Sequence, residues 1–173
     1  MFPTVGFAKR LQVSNNTLAM PTLATVTCVI RCLVSLLLLI PSQSLFWWFF
    51  EARKSPTTAP MALWLNGGPG CSSMIGLFQE NGPCLFKNES TSGLTSNEYS
   101  WNNVANMLYL DQPFDVGYST GNLDVNSTES AETYVWRFLQ AFYHAFPDYD
   151  NRNFGLFSES YGGQYVPVFV DYL

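Results

Sequence analysis

The stretch FGLFSESYGG, residues 154–163, decides the fold of this chain. Its first four residues are apolar or small and predict a short buried strand, and the two glycines at its end allow a helix to begin close behind that strand. Ser160 lies between this strand and the two glycines, where a sharp turn would hold its hydroxyl away from the sheet. The usual form of such a turn is G-x-S-x-G, and here Ser158 replaces the first glycine. The stretch therefore predicts either a nucleophile on a strained turn or an ordinary glycine-rich loop.

The rest of the chain alternates short apolar runs with one amphipathic segment. Three runs predict buried strands: LFWWFF at 45–50, MALWL at 61–65 and VANMLYL at 104–110. A helix is indicated by apolar residues that recur every three or four positions, namely Ala131, Tyr134, Val135, Phe138, Leu139, Phe142, Ala145 and Phe146. Ser127 or Thr128 can cap this helix, and Pro147 follows its end. Strands that alternate with a helix predict an α/β fold.

Composition limits the classes of function that the chain can have. With 173 residues, 47% of them hydrophobic and 16% aromatic, the chain is long and apolar enough for one globular domain. Its net charge is −5 and only 12% of its residues are charged, without a stripe of Lys and Arg, so nucleic acid is not an expected partner. Four cysteines without zinc spacing and a single histidine predict no metal site, and no cofactor is expected.

Residues 1–43 differ from residues 44–173. The first segment ends in the apolar run Leu33–Ile40, which is much shorter than the roughly 20 residues of a membrane-spanning helix. Small residues follow the run at Ser42 and Ser44, as they do at the end of a signal peptide. We therefore expect a signal or anchor in this segment, and otherwise no membrane contact. A buried strand and a foreign segment are the alternatives.

Three N-x-S/T sequons, at Asn15, Asn88 and Asn126, predict glycosylation. Each sequon is a weak signal alone, but all three occur together with cysteines that can pair, which favours an oxidising compartment over the cytosol. The expected location is the secretory pathway, with an extracellular or vacuolar destination.

Four motifs give the chain a resemblance to a known family. They are WLNGGPGCSS at 64–73, ENGPC at 80–84, YSWNNVANMLYLDQP at 99–113 and SESYGGQY at 158–165. In their order and spacing they resemble the serine carboxypeptidases, a family with the α/β-hydrolase fold, and in particular its fungal members. The resemblance covers about residues 45–173 and implies the N-terminal part of the family's domain, truncated after the nucleophile elbow.

The resemblance implies a role for each matching residue. Ser160 would be the nucleophile, and the backbone N–H groups of Gly68 and Tyr161 would form the oxyanion hole. The free carboxylate of a peptide or protein C-terminus would be recognised by a group that comprises Trp64, Asn66, Gly67, Glu80 and Glu159. Two glutamates beside a third carboxylate repel one another unless protons are shared, so binding is expected to be favoured in acid.

The triad of Ser160 is incomplete in this sequence. In the family's fold an aspartate and then a histidine follow the nucleophile, whereas here only Asp171 follows and the single histidine, His144, precedes it. A serine carboxypeptidase represented by part of its chain is the first interpretation. A non-catalytic relic that retains the carboxylate-binding half-site and an acyltransferase-like relative are the alternatives. The resemblance also implies that Cys71 is unpaired, with Cys84 a second candidate for an unpaired cysteine.

Overall fold

The computed structural model describes the backbone of residues 32–40. It describes both backbone and side chains of residues 43–86, 93–122 and 124–173. Seven strands are present in this part of the chain: β1 (Cys32–Ile40), β2 (Gln43–Phe50), β3 (Met61–Leu65), β4 (Cys84–Phe86), β5 (Leu94–Ser96), β6 (Asn106–Leu110) and β7 (Phe154–Ser158). Five of them form one sheet in the order β1-β2-β6-β3-β7, and β4 pairs with β5 in a separate hairpin. The strands predicted from the apolar runs are confirmed, with ends that differ by at most two residues.

The direction of the strands decides where the site can lie. β3 runs parallel to both of its neighbours, β6 and β7, whereas β1 and β2 are antiparallel additions on one side of the sheet. The carboxyl ends of β3, β6 and β7 therefore meet at one edge of the sheet. In open α/β sheets this edge is where ligands bind.

Two helices cover one face of the sheet. Helix α1 (Thr128–Ala145) begins at the predicted cap, Ser127, whose hydroxyl accepts a hydrogen bond from the Ser130 N–H. Its buried face consists of five residues of the predicted stripe: Ala131, Val135, Phe138, Leu139 and Phe142. Each large side chain in that stripe contributes about 2 kcal/mol by leaving water. Helix α2 (Gly162–Tyr172) follows β7, as the two glycines predict. A smaller apolar cluster, which includes Trp64, Met107 and Tyr109, covers the opposite face.

The apolar run near the start of the chain forms a strand. β1 pairs antiparallel with β2 from Cys32 opposite Phe50 to Ile40 opposite Gln43. The segment boundary expected at residues 43 and 44 therefore lies at the first residue of β2, and the residues on its two sides belong to one sheet. Residues 1–31 and the sequons at Asn15 and Asn88 lie outside the described residues, so the signal or anchor remains a prediction. In the described part of the chain, no helix has the length and the apolar character needed to cross a membrane.

One expectation about the cysteines is wrong. Cys84 is disulfide-bonded, and the side chain of its partner lies outside the described residues. The sequence could not show this pairing because it depends on which segments β4 approaches in the fold. Cys71 is a free thiol and is exposed, as expected.

Candidate active site

The predicted site residues lie at the carboxyl edge of the sheet. Asn66 directly follows β3, and Glu159 and Ser160 directly follow β7. β3 and β7 are paired up to Leu65 and Ser158, so the two loops leave the sheet side by side. The sheet thereby brings together motifs that are about 90 residues apart in sequence.

Ser160 lies on a strained turn between β7 and α2. Its φ angle is 54°, a left-handed conformation that is unfavourable for any residue with a Cβ, and its side chain is exposed. The turn is tight, because a Cβ at Gly162 would lie 1.9 Å from the Ser158 hydroxyl oxygen. That hydroxyl donates to the Leu65 carbonyl oxygen. Serine at position 158 thus ties β7 to β3 and is compatible with the turn that the sequence predicts.

The glycine-rich loop after β3 packs against this turn. A Cβ at Gly67 would lie 2.5 Å from the Tyr161 nitrogen and 2.6 Å from the Glu159 carbonyl oxygen, so only glycine allows the approach. Gly68 follows with a φ angle of 106°. Among the described residues, neither the Gly68 N–H nor the Tyr161 N–H donates a hydrogen bond. The two predicted oxyanion-hole donors are thus close in the fold and available.

Asn66 is the centre of a cluster that we call the amide–carboxylate cluster: Trp64, Asn66, Gly76, Glu80 and Glu159. The Asn66 carbonyl oxygen accepts from the Trp64 indole N–H and from the Gly76 N–H, each at 2.9 Å. Its amide nitrogen donates to Glu80 Oε1 at 3.1 Å and to Glu159 Oε1 at 3.3 Å. All four hydrogen-bonding positions of the amide are used, so its orientation is fixed.

The two glutamates differ from Asn66 in their exposure. Asn66 is buried, whereas both glutamate side chains reach solvent. Glu80 ends a π-helical turn, Gly76–Glu80, and Glu159 also accepts from the Gly67 N–H at 3.3 Å. The structure therefore brings together the predicted residues around a buried amide, with two carboxyl groups at the surface where a ligand can reach them.

Sequence reasoning missed a buried carboxylate under this loop. Asp111 follows β6 and is fully buried, and its carboxylate accepts hydrogen bonds from the Ser72 hydroxyl and the Ser73 N–H. Burial raises the pKa of Asp111, and the Ser72 and backbone donors act against that shift. The available signal was the acidic residue directly after an apolar strand in LDQP, a position where a charge is rarely buried without a purpose.

A cavity of about 360 Å³ adjoins the nucleophile turn at Tyr161. Tyr161 and Tyr165 form one wall, and the loop from Pro113 to Val116 and the start of α1 form the others. No member of the amide–carboxylate cluster lines it. The two sequence neighbours of Ser160 thus belong to features of different chemistry, Glu159 to the polar cluster and Tyr161 to the partly aromatic cavity.

Neither candidate partner for Ser160 lies at the turn. His144 is exposed in the last turn of α1. The first residue of that helix, Thr128, lies 3.5 Å from the Tyr161 hydroxyl oxygen, so His144 is about 24 Å farther along the helix. Asp171 is exposed near the end of α2. In the described part of the chain no group of three or more His, Cys, Asp and Glu residues is placed to hold a metal ion.

Comparisons with known proteins show the family of the chain. The family model of the serine carboxypeptidases, peptidase S10, matches residues 40–173. Carboxypeptidase S1 of Penicillium janthinellum is 59% identical over 133 residues, which are 76% of this chain and 31% of that protein. Carboxypeptidase Y homolog A of Chaetomium globosum is 48% identical over 128 residues, which are 74% of this chain and 23% of that protein.

A solved structure gives the same result for the fold. The crystal structure of Kex1(Δ)p, a prohormone-processing carboxypeptidase from Saccharomyces cerevisiae, superimposes with a TM-score of 0.75 at 30% identity, covering 84% of this chain and 34% of that one. The α/β-hydrolase fold implied by the sequence motifs is thereby confirmed. The chain spans about a third or less of the length of these relatives.

Proposed function

The chain belongs to the serine carboxypeptidase family, and on this basis we propose that it carries the nucleophile and the carboxylate-binding half of a serine-type carboxypeptidase. Such an enzyme hydrolyses the last peptide bond of a peptide or protein. The observation that carries the proposal is the position of Ser160, on a strained exposed turn directly beside the cluster of Asn66, Glu80 and Glu159. An exopeptidase needs these two features next to each other.

The first half of the reaction follows from the turn. The Ser160 hydroxyl oxygen attacks the carbonyl carbon of the last peptide bond, and the carbonyl oxygen becomes an oxyanion. The N–H groups of Gly68 and Tyr161 stabilise that negative charge. The C–N bond then breaks, the amine of the terminal residue leaves with the proton that the Ser160 hydroxyl gave to a general base, and the acyl group stays on Ser160 until water hydrolyses the ester.

The amide–carboxylate cluster recognises the end of the substrate. Both Asn66 amide protons are directed to the glutamates, so an incoming carboxylate meets the exposed Glu80 and Glu159 first. A carboxylate binds there when a glutamate carries a proton that it can donate, or when it displaces a glutamate from Asn66. Binding is therefore favoured in acid, and the residues on the acyl side of the bond extend toward the cavity beside Tyr161.

Ser160 also needs a general base, and the described residues supply none at the turn. Removal of the base in a serine triad typically costs several powers of ten in rate, while the oxyanion hole and substrate binding keep their contribution. The 173-residue chain alone is therefore expected to bind a C-terminal carboxylate and to turn it over slowly.

The secretory pathway, with an extracellular or vacuolar destination, is the location that we propose. The disulfide at Cys84 supports an oxidising compartment, and Asn126 is an exposed sequon residue available for glycosylation. Digestion with an endoglycosidase after expression in a secreting host tests this: a shift in mass that disappears in Asn126→Gln supports glycosylation there.

The test of the proposed function compares two ligands that differ only at the C-terminus. An N-blocked dipeptide with a free carboxylate is expected to bind the chain at least tenfold more tightly at pH 5 than the same dipeptide as an amide. Glu159→Ala should remove most of this preference, whereas Glu98→Ala, which changes an exposed acid outside the cluster, should leave it unchanged. Equal affinity for the acid and the amide would contradict the proposal.

A second measurement addresses the reaction. Ser160 is expected to react with an organophosphonate slowly but selectively, and Ser160→Ala should remove the label. Incubation of the blocked dipeptide with and without an acceptor alcohol separates hydrolysis, which gives the free acid, from acyl transfer, which gives the ester.

A further inference from the structure

The Asp111 carboxylate connects two loops at the carboxyl edge of the sheet. Its Oδ1 accepts from the Ser72 hydroxyl at 2.7 Å and from the Ser73 N–H at 2.8 Å, and its Oδ2 accepts from the Tyr118 N–H at 3.1 Å. Ser72 and Ser73 lie at the end of the glycine-rich loop, and Tyr118 lies in the loop after β6. Donors from both loops thus take the place of water around the carboxylate, and such charge-assisted hydrogen bonds are short and directional.

Ser73 extends this connection to Asn66. The Ser73 hydroxyl donates to the Leu110 carbonyl oxygen and accepts from the Asn66 N–H at 3.2 Å. The Asn66 backbone is therefore held by a residue whose own N–H is bound to Asp111. Ser73 is thus the one residue that links the Asp111 carboxylate to Asn66, the centre of the amide–carboxylate cluster.

The surrounding backbone leaves space for this carboxylate and for little else. A Cβ at Gly117 would lie 2.1 Å from Asp111 Oδ2, and Gly117 has a φ angle of 57° that glycine adopts easily. Asp111 is 0% exposed. A buried anion is unfavourable unless its hydrogen bonds are satisfied, and a network that satisfies them holds its members in one arrangement.

We propose that Asp111 is a positioning residue for the substrate-binding loop. It does not contact substrate. It fixes Ser72 and Ser73, Ser73 fixes the Asn66 backbone, and Asn66 orients Glu80 and Glu159. The consequence for ligand binding rests on the proposed function, whereas the effect on the loop itself does not.

The first test measures the loop without a ligand. Asp111→Asn keeps the shape of the side chain but replaces one carboxylate oxygen with an NH2 group. That group cannot accept the hydrogen bond that the oxygen accepts in the wild type. We expect hydrogen exchange of the Asn66 N–H, measured by NMR relative to the Trp47 N–H in the core, to accelerate at least tenfold. The matched control is Asn106→Ala, which removes a buried polar residue with three hydrogen bonds at the other end of the same strand. Because Asn106→Ala lowers global stability, it should accelerate the Trp47 N–H at least as much as the Asn66 N–H, and it should not raise this ratio.

A milder variant covers the case in which Asp111→Asn does not fold. Ser72→Ala removes one donor to Asp111 and leaves the direct Ser73–Asn66 hydrogen bond in place, so it should accelerate Asn66 exchange in the same direction. An unchanged Asn66 ratio in every variant that folds would overturn the proposal.

The second test measures the consequence for binding. In Asp111→Asn the preference for a free-acid over an amidated dipeptide should fall about tenfold, while Asn106→Ala should keep the wild-type preference even though it is less stable. An unchanged preference in Asp111→Asn, together with a clear preference in the wild type, would overturn the positioning role. If the wild type has no preference, the proposed function is wrong, and the Asn66 exchange ratio alone decides whether Asp111 holds the loop.

Discussion

Strand β6 begins and ends beside a buried polar residue, and the two ends of the sheet use these residues differently. At the amino end, Asn106 accepts from the Ala52 N–H at 2.9 Å and donates to the Pro56 and Ala59 carbonyl oxygens at 3.1 Å. At the carboxyl end, Asp111 binds donors from two loops, and the same edge of the sheet carries groups that stay exposed or strained, Ser160 among them. At the amino end the polar side chain hydrogen-bonds only to the protein backbone, whereas the carboxyl end leaves N–H donors and carboxyl groups available to a ligand.

The largest effect on stability is expected at the amino end. Asn106→Ala leaves the Ala52 N–H and two carbonyl groups without their partner, and a buried polar group without a partner typically costs about 1–3 kcal/mol. We expect the free energy of unfolding to fall by about 3–5 kcal/mol in urea titrations followed by circular dichroism. A loss below about 1 kcal/mol would mean that water takes the place of the Asn106 amide. This end of the sheet would then be more accessible to solvent than its hydrogen bonds indicate.

An intermediate effect that depends on pH is expected at Asp111. The native pKa of this carboxyl is raised by burial, so the native state binds the proton more tightly than the unfolded state does. Stability from this residue is therefore fully present below the ordinary aspartate pKa of about 4 and is lost as the pH rises through the raised native value. Asp111→Asn should reduce stability by about 1–2 kcal/mol at pH 7 and by more near pH 4.

Urea titrations of both proteins between pH 4 and pH 7 measure this difference. A gap that widens with increasing pH would show that the hydrogen bonds from Ser72 and the backbone outweigh the effect of burial. Asn106→Ala serves as the control, because its loss should not vary with pH in this range.

A smaller effect is expected where the glycine-rich loop contacts α2. The Tyr165 hydroxyl oxygen accepts from the Gly70 N–H at 3.1 Å, and Tyr165 is buried. Tyr165→Phe should cost about 1 kcal/mol in the free energy of unfolding. It should also lower the free-acid preference less than Asp111→Asn does, since Gly70 lies outside the amide–carboxylate cluster. A larger loss of preference in Tyr165→Phe would reverse the order of importance that we assign to the two contacts.

The smallest effect has the opposite sign. Ser160→Gly places glycine where φ is 54°, which relieves strain at the turn, and the lower backbone entropy of serine in the unfolded chain offsets part of the gain. We expect the variant to be about 0.5–1 kcal/mol more stable and to lose all organophosphonate labelling. A destabilised variant would indicate that the Ser160 side chain contributes to packing and that the turn is not strained for function.

Local patterns predicted the elements that depend on neighbouring residues. The stripe from Ala131 to Phe142 predicted α1, because a helix places residues three and four apart on one face. The cap at Ser127 and the strand before Ser160 were likewise visible in short windows. The family motifs then placed Asn66, Glu80 and Glu159 in one site, and the structure brings these residues together.

Features that depend on distant contacts could not be predicted in the same way. The run at Leu33–Ile40 has the composition of a signal sequence, and only its pairing with β2 makes it a strand. The disulfide at Cys84 depends on the path of a separate segment. The link from Asp111 through Ser73 to Asn66 involves hydrogen bonds between residues up to 38 positions apart, and no local pattern encodes it.

The tryptophans beside Asn66 give this site an intrinsic fluorescence signal. The Trp64 indole N–H is bound to the Asn66 amide, and its ring meets the edge of Trp101 at 5.3 Å between centroids and 87° between planes. Phe157 contacts Trp101 edge to face at the same centroid distance of 5.3 Å. A ligand that draws Glu159 or Asn66 toward itself changes the polarity and hydrogen bonding of an indole that absorbs near 280 nm. The chain has five tryptophans, so the part of the emission change that disappears in Trp64→Phe reports occupation of the site in real time without an attached dye.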